Sequence, residues 1–189
     1  MNSITRPGLG IMTHAPSKLL QPFTRFQSPK ARLQPGSHLE IYVDGSAGHA
    51  GGNVGAAARA TIPDGTTIIM KEYLGKVGKF SSQDGEIFGA ILALRILKAT
   101  EALRFTHATI FTDSKWTIHR LLNDKARNGE LVRRFDDEAR RLKLTHLRGL
   151  RLQWVPAHKG VLGNELVDLD AKAAALGESS IVWLRRRFE

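Results

Sequence analysis

From residue 40 onward, short apolar runs alternate with glycine, proline and polar turn residues, the punctuation of a compact α/β domain. Residues 40–44 (EIYVD) form a predicted strand, followed by the glycine-rich stretch GSAGHAGGNVG. Two further strands are predicted over 54–62 and 66–73, turned by Pro63, Asp64 and Gly65. Short turns between three successive strands imply an antiparallel meander. Over 82–99, Ile87, Ala90, Ile91, Leu94 and Leu97 recur at helical spacing, the stripe of a helix laid on a sheet. A fourth strand (108–112) precedes helices over 114–122 and 130–142. A fifth strand (150–155) leads into a final alanine-rich helix over 164–176. This order predicts a mixed five-stranded sheet, three antiparallel strands then two parallel, flanked by helices. The chain shows no internal repeat.

Residues 1–39 break this pattern. They carry five of the seven prolines and five cations (Arg6, Lys18, Arg25, Lys30, Arg32), with no Asp or Glu. That composition predicts a disordered basic extension, read as a linker from a larger polyprotein or an organelle transit segment. The folded domain is expected over 40–177. A basic tail over 178–189, with Arg185, Arg186 and Arg187, is expected to be unstructured.

At 42% hydrophobic, the 189-residue chain can build its own core, and no window is apolar enough for a membrane span. Cysteine is absent, which excludes disulfides, thiolate metal sites and a cysteine nucleophile. A net charge of +10 favours a polyanionic partner, nucleic acid ahead of a membrane surface.

Three acids stand at positions a purely structural sequence avoids. Asp44 and Asp113 each end an apolar strand, and each is followed by a small turn residue, Gly45 or Ser114. Carboxylates at neighbouring strand ends share one rim of an α/β sheet. Glu86 lies four residues before Ala90, on the apolar side of its helix, where a carboxylate is costly unless a positive group neutralises it. Capping and turn formation are the structural alternatives for each acid. On the last helix, Asn164 and Asp168 share a face, whereas Asp170 lies roughly 200° round the axis from Asp168. The two aspartates are therefore not expected to face the sheet together. His158 sits in a loop bounded by Pro156 and Gly160.

The blocks IYVDGS, GEIFGAILAL, ATIFTDS and WVPAHKGVLGNELVDLDAKAAA, in this order, resemble the signature of the type 1 ribonuclease H family. The WVPAHKGVLGNE block is most similar to the ribonuclease H domains of non-LTR retrotransposon reverse transcriptases. The resemblance implies that Asp44, Glu86, Asp113 and Asp168 are metal-binding catalytic carboxylates, with His158 as an assisting residue. It also implies two Mg²⁺ ions, with Mn²⁺ as a substitute, and hydrolysis of the RNA strand of an RNA–DNA hybrid to 5′-phosphate and 3′-hydroxyl ends. Hard cations and clustered carboxylates suit one another. The resemblance further points to Gly45, Ser46, Ser82, Gln83, Ser114 and Asn164 as substrate contacts.

Where many family members carry an Asn-Asn-Arg run before the helix glutamate, this chain has Ser82, Gln83 and Asp84. That change puts discrimination of RNA 2′-hydroxyls in question more than metal binding. The tryptophan-rich basic handle of some bacterial members is also missing. Instead Lys125, Arg127, Arg133, Arg134, Arg140, Arg141 and Lys143 are interleaved with Asp136, Asp137 and Glu138, the composition of a solvated face. Trp116 and Trp154 read as packing residues. The expected protein is a monomeric intracellular enzyme of cytoplasm or nucleus, or mitochondrial if the basic N-terminus directs it there. The competing readings are an inactive ribonuclease H-like nucleic-acid-binding domain and a related integrase or resolvase nuclease.

Overall fold

The computed structural model describes residues 20–23, 38–48, 52–123, 129–142 and 146–184. Arg185, Arg186, Arg187, Lys125, Arg127, Lys143 and most of the N-terminal extension lie outside them. Strands β1 (Leu20–Phe23), β2 (His38–Ala47), β3 (Asn53–Thr61), β4 (Thr67–Lys76), β5 (His107–Thr112), β6 (Gly149–Trp154) and β7 (Ser180–Leu184) form one sheet. Its order is β1-β6-β5-β2-β3-β4-β7. The β1/β6, β6/β5 and β5/β2 pairs are parallel, and the remaining pairs are antiparallel. The helices are α1 (Ser82–Ala99), α2 (Lys115–Leu122), α3 (Glu130–Arg141) and α4 (Leu162–Ala175).

The expected mixed sheet is present, as a central five strands with an added strand at each edge. Both additions fall where the sequence predicted no structure. Pro22 argues against a strand, yet β1 is an edge strand, where a missing N–H costs little. In the tail, the run Ser-Ile-Val-Trp-Leu has strand composition, and it pairs with β4 through Met70↔Ile181 and its neighbours.

The meander closes as predicted. Asp64 and Gly65 turn β3 into β4, with the Ile62 N–H on the Thr66 carbonyl at 2.9 Å and the Thr66 N–H on Asp64 Oδ1 at 2.8 Å. Helix α1 begins with a reciprocal cap: Ser81 Oγ accepts from the Asp84 N–H, and Asp84 Oδ2 accepts from the Ser81 N–H. It stops at Thr100, whose hydroxyl bonds back to the Ile96 carbonyl.

Pleat alternation splits β2 between two layers. Leu39, Ile41 and Val43 join Ala56, Ala58, Ala60, Ile68 and Met70 in the main core, beneath Ile87, Ile91 and Leu94 of α1. Val132 and Phe135 of α3 close that core from outside. On the opposite face Tyr42 and Ala57 meet Val167 and Ala171 of α4. Asp44 is registered opposite Ala57, so its side chain emerges on the α4 face, just beyond the last β2–β5 pair.

Candidate metal centre

Chain direction brings the first two acids together. β2 and β5 are parallel neighbours, with Tyr42 registered opposite Phe111, so Asp44 and Asp113 leave the sheet at the same rim. Glu86 arrives from the fifth position of α1, and Gly45 lets it approach. A Cβ on Gly45 would stand 2.2 Å from the Glu86 nitrogen and 2.3 Å from the Gly85 carbonyl carbon, distances no side chain survives. Gly45, expected as a substrate contact, is thus the seat on which α1 rests.

One oxygen from each of Asp44, Glu86 and Asp113 lies within 4.8 Å of the others. Burial and the neighbouring charges of Asp113 and Asp168 push Asp44 up to about 7. Burial, with Asp44 and Asp113 alongside, pushes Glu86 up to about 9. Asp44 and Glu86 thus hold protons that isolated carboxylates release, because burial and the neighbouring acids oppose their charged forms. A divalent cation supplies compensating positive charge, and the oxygen donors match Mg²⁺ or Mn²⁺. The residues therefore fit the metal.

Glu86 and Asp113 are braced by neighbouring side chains. Thr112 Oγ1 donates to Glu86 Oε2 at 3.3 Å. Asn164 Nδ2 donates to Asp113 Oδ2 at 3.0 Å, and Asn164 is only 3% exposed. The indole N–H of Trp154 holds the Asp113 carbonyl at 3.0 Å, while the Lys115 ammonium lies 4.5 Å from the centre of that ring. Sequence reasoning missed Thr112 and treated Trp154 as packing. The only signal was their adjacency to the TDS and WVPAHK blocks.

Asp168 is near enough to raise Asp44, but it is not one of the three gathered ligands. Its Oδ2 accepts from Lys172 Nζ at 2.7 Å. Asp170, on the other flank, has a partner that was not anticipated. Arg59 on β3 reaches out to it, with Nε on Oδ2 at 2.7 Å, and both side chains are under one-fifth exposed. A guanidinium stem is long enough to join a helix flank to the sheet, which the helical period alone does not reveal.

His158 stands exposed on the β6–α4 loop in a left-handed conformation, φ 49°, and is not among the gathered ligands. Ser46 follows the metal rim on β2, opposite Gly55. Ser82 and Gln83 are exposed in the first turn of α1. Ser114 caps α2, its oxygen accepting from the Thr117 N–H at 3.2 Å. Among the described residues no helix is long and apolar enough to cross a membrane.

Comparison with known proteins agrees with this fold. Ribonuclease H1 of the archaeon Halobacterium salinarum superposes with a TM-score of 0.55 at 22% identity, covering 75% of this chain and 99% of that one. The N-terminal ribonuclease H domain of a Mycobacterium tuberculosis protein, solved as a fusion with maltose-binding protein, gives 0.55 at 21% identity, covering 73% and 98%. At these identities the likeness establishes the fold. No curated protein matches the sequence. The sequence profile described as RNase H matches residues 36–176, a span holding all four helices and every candidate acid, and the chain belongs to the ribonuclease H family.

Proposed function

We propose that this chain is an endonuclease that hydrolyses the RNA strand of RNA–DNA hybrids using two Mg²⁺ ions. The observation that carries the reading is the convergence of Asp44, Glu86 and Asp113 within 4.8 Å inside a ribonuclease H fold. Asp44 holds the centre of the cluster, Asp113 and Asp168 flank it, and Glu86 closes it from α1. Bound there, the metal pair supplies Lewis acidity on both sides of the scissile phosphodiester. Thr112 and Asn164 keep the ligand oxygens aimed, so little rearrangement is needed on binding. His158, on its exposed loop, assists by proton exchange at the leaving 3′-oxygen.

A groove of about 490 Å³ runs from Asp84 past Phe80, Trp116, Arg120 and Arg134. Its mixture of cations and aromatic faces suits a nucleic-acid backbone and its sugars. The WVPAHKGVLGNE block supports a place beside a reverse transcriptase in a longer polyprotein.

The test is cleavage of an RNA–DNA hybrid carrying a labelled RNA strand, in Mg²⁺ and in EDTA, beside single-stranded RNA and duplex DNA. The expected result is Mg²⁺-dependent cutting of the hybrid RNA alone, leaving 5′-phosphates. Replacement of His158 by Ala lowers turnover by about tenfold, short of abolishing it. Hybrid binding without cleavage would instead establish the inactive binding-domain reading.

A further inference from the structure

Helix α4 rests on an unusually smooth surface. Val167 and Ala171 lie on Ala57. Gly55 admits the helix backbone so closely that a Cβ there would sit 2.2 Å from the Ala175 nitrogen. At the other end, a Cβ on Gly163 would meet the Tyr42 ring at 2.4 Å. Small side chains and bare backbone allow close approach, but they offer few knobs to fix a helix against rotation about its axis. Rotation matters for this helix. At a side-chain radius of roughly 5–6 Å, a turn of about 20° carries a carboxylate about 2 Å sideways. Mg²⁺ coordination tolerates only about 0.2 Å.

Two side-chain contacts aim α4: Asn164 on Asp113 at its first turn, and the Arg59–Asp170 pair farther along, which ties it to β3 beneath. Arg59 is registered opposite Tyr42, on the same sheet face as Asp44. Its Nε meets Asp170 Oδ2 at 2.7 Å, with side-chain exposures of 18% and 13%. Asp170 and Asp168 are on opposite flanks of α4, so fixing one flank to β3 sets where the other points.

We propose that Arg59, acting through Asp170, is a positioning residue that sets the rotation of α4 and hence the reach of Asp168 to the three-acid cluster. The inference rests on reading these carboxylates as metal ligands. It adds that the fourth is held in place by an ion pair on the far side of its helix.

The experiment uses the full chain with Arg59→Met, Asp170→Asn, Arg59→Lys and the exchanged pair Arg59→Asp with Asp170→Arg. Two readouts are taken: the Mg²⁺-induced shift in melting temperature, and kcat, KM and half-saturating Mg²⁺ for hybrid cleavage. Arg59→Met and Asp170→Asn are expected to raise half-saturating Mg²⁺ about tenfold and lower kcat. KM for the hybrid should stay within about twofold, because neither group touches substrate. Arg59→Lys, keeping the charge but not the guanidinium fork, is expected to fall between. The exchanged pair should recover most of the Mg²⁺ response.

A lowered melting temperature with unchanged Mg²⁺ dependence would overturn the proposal and leave the pair a structural tie. So would an exchanged pair that folds and melts normally without recovering the Mg²⁺ response. The melting shift reads metal positioning whether or not a hybrid is the substrate. A chain that binds Mg²⁺ normally but fails to cleave hybrid would therefore count against the catalytic reading alone.

Discussion

The rim formed by β2, β5 and the start of α1 differs sharply from the α4 flank that completes the site. At the rim, Asp44 and Asp113 are placed by parallel strand pairing, and Glu86 by a helix seated on Gly45. Backbone geometry fixes those three acids before any side-chain partner is considered. On α4, Asp168 and Asp170 are each tied by an ion pair, to Lys172 and Arg59. The rim acids are placed first by main chain, and the flank acids are held through single side chains. Substitutions at the rim should therefore act through the metal directly, and those on the flank by degrees.

The largest effect should come from removing a rim charge. Asp44→Asn or Asp113→Asn is expected to cut hybrid cleavage by about a hundredfold or more, the scale of losing several kcal/mol of charge stabilisation. Asp168→Asn should lose most activity as well, while Asp170→Asn retains more. Steady-state kinetics at saturating Mg²⁺ would show the ranking, and a flank substitution more damaging than a rim one would break the comparison. Next is the backbone contact itself. Gly45→Ala must push α1 away from β2, and overpacking of this kind costs about 1–3 kcal/mol. Chemical denaturation should report that loss, with activity falling further than stability alone explains. An alanine variant with normal activity would show that Glu86 does not depend on this seat.

The same contrast explains what could be read from sequence. Helix α1 was legible to the residue from its apolar stripe, although the Ser81–Asp84 cap that starts it was not read. That Asp44 and Asp113 share one rim was legible because both close apolar strand runs, and the family resemblance added Glu86 to them. Edge strands β1 and β7 were not, since their pairing depends on an available partner edge more than on their own pattern. Nor was the role of Gly45, whose neighbour Gly85 is forty residues away. The Arg59–Asp170 pair spans 111 residues, and no local spacing announces it.

The most direct test of the metal centre is melting temperature against pH, with and without Mg²⁺. Asp44 and Glu86 are raised from 3.8 and 4.5 to about 7 and about 9. The folded, metal-free chain therefore holds protons that the unfolded chain has released. Stability from these two acids is full below about pH 4 and is lost as pH climbs through 7 toward 9. Added Mg²⁺ replaces those protons, so its stabilising shift should be small near pH 5 and large near pH 8, and should collapse in Glu86→Gln. A Mg²⁺ shift equal at both pH values, or undiminished in Glu86→Gln, would contradict the assignment of this cluster as the metal centre.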